Sequence, residues 1–211
     1  VGLRLCDYLD FDLMKEKVIG NIRVKLSAFV RPAEIRALED QIFKDHKELS
    51  VFLRPLVRDV SLELLNSLKK KKRVILESAQ GTFLDVDFGT YPYVTSSNPI
   101  ASYAPCGVGL GPRAIDSVLG VAKLFTTRVG EGPFPTEIKG PLAAEIRETG
   151  LEYGATTGRP RRIGYLDLPL IKKACRINGV NRLALTKMDT LVGIEPLKIC
   201  VGYSWGGNIS R

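Results

Sequence analysis

The chain has 211 residues, 45% hydrophobic and 26% charged. That balance excludes disordered and fibrous classes, and no run approaches the roughly 18 uninterrupted apolar residues of a membrane-spanning helix. Its formal charge of +8 favours an anionic partner: nucleic acid, a membrane surface, or a small molecule rich in phosphate and carboxylate. The chain opens at Val1 without the charged start, apolar stretch and small-residue site of a secretory signal, so a soluble, cytoplasmic protein is expected. Cys6, Cys106, Cys175 and Cys200 are scattered, with no CxxC pair and no histidine at metal-ligand spacing. They read as reduced, mostly buried thiols. The single histidine, His46, falls in the charged stretch Phe43 to Leu49 and reads as part of a solvated helix face, which leaves Ser-His-Asp chemistry without a basis.

In chain order, Ile35, Leu38, Ile42 and Phe43 predict a helix over Pro32 to Leu49, with Pro32 where its missing N–H costs least. Val60, Leu62, Leu64, Leu65 and Leu68 predict another over Asp59 to Leu68, and the cations of Lys69 to Arg73 fit its C-terminal end. Val74 to Leu76 suggests a short buried strand, followed by a long stretch rich in Gly, Pro, Ser, Thr and Tyr that reaches Pro112. Such a stretch inside a compact domain points to function. Ala114 to Leu119 is expected to be helical, Val121 to Phe125 extended, and Ala143 to Thr149 a short helix stopped by Gly150. Pro169 to Ile177 is a further helix, with Asn178-Gly179 as its stop. Arg182 to Thr186 reads as a buried strand and Leu197 to Tyr203 as another. Alternating strands and helices predict an α/β fold with a mostly parallel central sheet flanked by helices. No linker divides the chain, so residues 1–211 are expected to form a single partial domain, mostly helical over 1–72 and built of sheet and ligand loops over 73–211.

Several segments carry chemistry. In Thr186-Lys187-Met188-Asp189, at the end of a strand, the aspartate could accept from the N1–H and exocyclic amino group of guanine while the lysine stem packs along the base. A solvated strand-end Lys and Asp is the bland alternative. Gly154 to Arg162 reads GATTGRPRR: glycine-bounded N–H groups, the hydroxyls of Thr156 and Thr157, and the forks of Arg159 and Arg161 suit carboxylate or phosphate. Gln80 and Thr95 to Ser97 offer an amide and hydroxyls around a strand-like segment. Asp85 and Asp87 alternate as in a strand with one polar face, and Arg128 and Glu131 could pair with each other. The run Gly107 to Gly111 lacks the third-glycine spacing of a dinucleotide fingerprint and is set aside.

Taken together, QGTFLDVDFGTYPYVTSS (Gln80 to Ser97), TTRVGEGPFPTE (Thr126 to Glu137), GATTGRPRR (Gly154 to Arg162) and LTKMD (Leu185 to Asp189) resemble the adenylosuccinate synthetase family, in its order and at plausible separations. The resemblance implies a P-loop-NTPase-like fold and GTP-dependent ligation of L-aspartate to IMP, with Mg2+ as metal and a homodimer as assembly. It implies that Gln80, Thr95, Val129 and Arg159 hold IMP, with Gln80 positioning and polarising the purine. It further implies that Ala155, Thr156, Thr157, Gly158, Arg159, Pro160 and Arg161 form the aspartate loop, Pro160 standing where arginine is common. Arg161, Lys187, Met188 and Asp189 would meet GTP.

The family's glycine-rich phosphate cradle, its magnesium ligands, its base and its acid have no counterpart in this sequence. The chain is therefore expected to be a central piece, inactive by itself. The alternative reading is a basic nucleic-acid-binding module, whose affinity would fall steeply with salt and ignore IMP.

Overall fold

The structure is a computed structural model and describes residues 2–155, 158–205 and 208–210. Where the sequence leads to a single partial domain, the chain forms two compact units, Val1–Asp59 and Val60–Arg211. The first is helical, with α1 (Leu5–Leu9), α2 (Phe11–Leu26) and α3 (Pro32–Leu53). Asp10 caps α2 by accepting from the Leu13 N–H at 3.0 Å. Glu34 in the first turn of α3 accepts from the Arg31 N–H at 3.2 Å, so α3 starts at Pro32 as its spacing predicts. The helix runs on to Leu53, one turn past the expected Leu49.

His46 corrects the expectation of a solvated face, because only 6% of it is exposed. Its Nε2 lies 2.8 Å from the Tyr8 carbonyl oxygen, which can only accept, so Nε2 carries the proton. The rings of Tyr8 and Phe11 stand 5.1 Å from the imidazole. Buried Met14 and Ile35 supply the apolar centre of this unit, and buried Asp7 pairs with Lys17 at 2.7 Å.

The second unit opens with α4 (Val60–Lys69), where the sequence expects a helix. Lys71 closes it in the left-handed region at φ 55°, with its N–H on the Leu68 carbonyl, so the lysine run is a helix end. Val74 to Leu76 forms no strand, and Ile75 is 89% exposed. An irregular stretch follows, then α5 (Ala104–Val108), whose last turn ends at Gly109, φ 71°. This glycine belongs to the run that resembled a dinucleotide fingerprint, and it acts as a helix stop.

The expected helix over Ala114 to Leu119 is replaced by one turn at Pro112–Ala114 and an extended lead-in to β1 (Leu119–Lys123). Asn181 supplies the reason: its Oδ1 accepts from the Val118 N–H at 3.2 Å and from the Ser117 hydroxyl at 2.8 Å, which fixes those residues out of helical geometry. Thereafter come β2 (Thr126–Arg128), α6 (Pro141–Thr149), β3 (Arg162–Gly164), β4 (Leu166–Asp167), α7 (Leu168–Asn178), β5 (Arg182–Thr186), β6 (Ile199–Cys200), β7 (Tyr203–Trp205) and β8 (Asn208–Ser210).

The class is α/β. Among the described residues β1 pairs with β5 and β4 with β6 in parallel, while β2–β3 and β7–β8 are antiparallel. Asp167 caps α7 through the Leu170 N–H at 3.1 Å, and its other oxygen accepts from the Tyr203 hydroxyl at 2.5 Å, so one carboxylate ties the helix start to β7. Burial and that carboxylate together push the Tyr203 phenol well above its ordinary value.

The core gathers Phe125, Ile138, Ala143, Ile146, Ile163, Leu191 and Ile194. Ala143 and Ile146 sit three residues apart on one face of α6, and each fully buried side chain of the Ile type contributes about 1.5–3 kcal/mol. The strand β5 has its expected bounds but is not buried: Leu183 and Leu185 are 42% and 50% exposed, and Val121 beside them on β1 is 70% exposed. The thiols depart from expectation as well, since Cys6 and Cys106 are exposed and none of the four is fully buried. No helix among the described residues is long and apolar enough to cross a membrane.

Candidate functional site

Asp85 organises the stretch from Gln80 to Ile100. Rather than lying on a strand, it follows a single helical turn at Thr82–Leu84 and has no exposed surface. Its Oδ1 accepts from the N–H groups of Asp87 and Phe88 at 2.9 and 3.1 Å and from the Asn98 amide at 3.2 Å; Oδ2 faces the Ile100 N–H at 3.5 Å. Burial alone would raise this carboxyl, but the ring of donors outweighs it and holds the group below the usual carboxylate range. Around this knot the chain doubles back, with the Thr95 N–H on the Leu84 carbonyl at 2.8 Å and the Val86 N–H on the Ser97 carbonyl at 3.2 Å.

The fold-back brings Gln80 and Thr95 to one open cavity of about 400 Å³. Val129, just past the end of β2, lines it too, with Tyr93, Arg128 and Glu131. Gln80 is held at φ 54°, a left-handed conformation uncommon for a residue with a side chain. Arg128 donates from Nε to the Glu131 carbonyl at 2.7 Å and from a terminal nitrogen to the Tyr93 carbonyl at 3.0 Å. The expected Arg128–Glu131 pairing is thus made through main-chain oxygen. Burial, with Arg162 nearby, pushes the Arg128 guanidinium down from its ordinary value.

Gly132, at φ 107°, lets that arginine lie flat: a Cβ there would sit 2.4 Å from Arg128 Nη2 and 2.8 Å from Tyr93 Cβ. Arg162 on β3 locks the other side. It forms a two-point pair with Glu137 at 2.8 and 2.6 Å and donates to the Gly130 and Gly132 carbonyls.

The second cluster lies where α6 gives way to the arginine loop. Glu152 is 1% exposed, and a single oxygen, Oε2, accepts from Lys123 Nζ and Arg161 Nη1, both at 2.6 Å. Burial would raise its carboxyl, but the two cations dominate and hold it low; burial in turn pushes the Lys123 ammonium down despite its partner. Main-chain bonds frame the pair, from the Arg161 N–H to the Glu152 carbonyl at 2.9 Å and from the Gly154 N–H to the Arg159 carbonyl at 2.8 Å.

Ala155 lies in the turn, Gly158 adopts φ 64°, and Pro160 bridges to Tyr153. Thr156 and Thr157 lie outside the described residues. Arg159 is exposed and does not line the cavity of Gln80, Thr95 and Val129. Beyond β5, Lys187 takes φ 64° and donates from Nζ to the Gly150 carbonyl at 2.8 Å, while Met188 and Asp189 stay exposed at the start of a helical turn.

The adenylosuccinate synthetase family model matches residues 1–211, the whole chain. The chain belongs to the adenylosuccinate synthetase family. Adenylosuccinate synthetase of Caldanaerobacter subterraneus is 48% identical over 99% of this chain and 49% of its own length, and that of Halothermothrix orenii 47% identical over the same shares. A solved structure, fully ligated adenylosuccinate synthetase from Plasmodium falciparum, superposes with a TM-score of 0.88 at 33% identity, covering 99% of this chain and 49% of that one. The chain spans about half the length of the curated adenylosuccinate synthetases it matches.

Sequence reasoning missed Asp85 as a loop organiser, Arg128 as a cavity residue, and Glu152 with Lys123 altogether. A signal existed for the first: an aspartate four residues before Gly89, in a segment of turn formers, fits a side chain that caps its own loop. The Lys123–Glu152 pair spans 29 positions, and no local pattern announces it.

Proposed function

We propose that this chain carries the IMP, aspartate and guanine-binding groups of a cytoplasmic, homodimeric ligase that joins L-aspartate to IMP using GTP. The products would be adenylosuccinate, GDP and phosphate. In the reaction the γ-phosphoryl of GTP passes to the 6-oxygen of IMP; the aspartate amine then attacks C6, and phosphate leaves with that oxygen. Family membership supports the reaction. The observation that carries the site is the convergence of Gln80, Thr95 and Val129 on one cavity of about 400 Å³, from segments 34 positions apart between Thr95 and Val129.

In that cavity the Gln80 amide orients the purine through one donor and one acceptor, and the Thr95 hydroxyl donates to the 5'-phosphate. Val129 meets the ribose, with Arg159 reaching it from the loop. Arg161 takes the aspartate carboxylate by forked donation, within a loop formed by Ala155 to Arg161, and lies near GTP. The Lys187 stem, pinned through Nζ, offers its methylenes to the guanine face beside Met188, while Asp189 accepts from the two guanine donors. Positioning and charge neutralisation dominate phosphoryl transfer, which suits a site of arginines and hydroxyls with no nucleophilic side chain. Among the described residues no group of three or more His, Cys, Asp or Glu side chains could hold a metal ion.

Nucleic-acid binding is the weaker reading, since Lys123, Arg161 and Arg162 are tied to buried or half-buried carboxylates instead of forming an open basic stripe. The test is product formation by the protein at its relatives' full length. Adenylosuccinate and phosphate should form in equal amounts only with IMP, aspartate and GTP all present; phosphate release without adenylosuccinate, or neither, contradicts the proposal.

A further inference from the structure

Arg161 is not held by the loop to which it belongs. Its guanidinium is fixed by a carboxylate on the far strand of the turn, at the Oε2 atom that also receives Lys123. Three elements therefore meet on one buried oxygen: the end of β1, the segment after α6, and the arginine loop. Lys123 lies opposite Thr186 in the β1–β5 register, one residue before Lys187, and Lys187 is itself bound to Gly150, two residues before Glu152.

We propose that Glu152 is a positioning residue, whose carboxylate holds the Arg161 guanidinium, 30% exposed, in place to receive the carboxylate of the amino-acid substrate. The proposal rests on the reading that Arg161 meets that substrate. Two cations bound to one oxygen repel each other once the charge between them is gone, and Lys187 adds to the repulsion. Arg161, on a loop open to solvent, is the member free to move away. Lys123 has a second anchor, the Thr127 hydroxyl at 3.0 Å. Losing Lys123 leaves the Glu152–Arg161 pair whole, whereas losing Glu152 frees Arg161.

The experiment compares Lys123→Met, Glu152→Gln, the double variant K123M/E152Q and Arg161→Leu in the full-length protein. The double variant matters because it removes one positive and one negative charge, keeping the net charge of the cluster and the protein folded if E152Q alone is not. E152Q and K123M/E152Q should raise the aspartate KM by about tenfold or more, with kcat within about threefold and the IMP KM within about twofold. K123M should leave the aspartate KM within about twofold, because it removes a half-buried partner of Glu152 without touching Arg161. A purely structural carboxylate predicts the same aspartate KM for K123M and K123M/E152Q, and that result would overturn the proposal. If Arg161→Leu itself leaves the aspartate KM unchanged, the reading of Arg161 fails and takes the role of Glu152 with it. An effect of R161L without one of E152Q or the double variant removes Glu152 alone.

Discussion

Asp85 shows how one side chain sets the shape of a cavity that it does not line. With no exposed surface and four donors around it, its carboxylate replaces a sheet ladder for the loop that presents Thr95. Asp85→Asn keeps the shape but turns an amide donor toward N–H groups, and leaving such a buried donor unmatched costs about 1–3 kcal/mol. Because the folded carboxyl is held below its ordinary value, its stabilisation is complete above the unfolded pKa of about 4 and is lost as pH falls through the folded value. Asparagine does not titrate. The gap in Tm between the parent protein and D85N should therefore be widest near neutral pH and narrow below about pH 4, and a gap that is constant with pH would show that Asp85 does not act as an anion.

At the scale of elements, β5 ends in the residues proposed to read guanine. The strand delivers Lys187, at φ 64° with its ammonium pinned to Gly150, and then an exposed Asp189. Asp189→Asn should lower kcat/KM for GTP by about thirtyfold, the equivalent of about 2 kcal/mol, and raise it for XTP, since asparagine can donate to the xanthine 2-oxygen and still accept from N1–H. Unchanged GTP efficiency with no gain for XTP would remove guanine reading from this strand end.

Elements whose signals are local were legible: α7 between Pro169 and Gly179, α6 up to Gly150, and α3 from Pro32. What depends on distant partners was not. The extended residues before β1 answer to Asn181, 63 positions from Val118, and the burial of His46 answers to Tyr8 and Phe11. Apolar runs gave the bounds of β5 but not its exposure, because a strand is buried only by what packs on it. For the proposed site, motifs supplied the candidate residues, the turn-rich segment before Gly89 carried a signal for Asp85, and the Lys123–Glu152 pair, 29 positions apart, came only from the fold.

Over the whole molecule, Lys17, Lys123, Arg161 and Arg162 pair with Asp7, Glu152 and Glu137, and the +8 is what remains after every carboxylate is counted; it favours anionic ligands but does not by itself make a basic face. The central claim is that the cavity of Gln80, Thr95 and Val129 receives IMP. Thr95→Ala in the full-length protein tests it most directly, because the hydroxyl is lost while the main-chain bond from Thr95 to Leu84 is kept. The IMP KM should rise by about tenfold or more, as for a hydrogen bond to a charged group, while the KM values for aspartate and GTP stay within about twofold. An IMP KM equal to that of the parent protein, or an equal rise for all three substrates, would contradict the account.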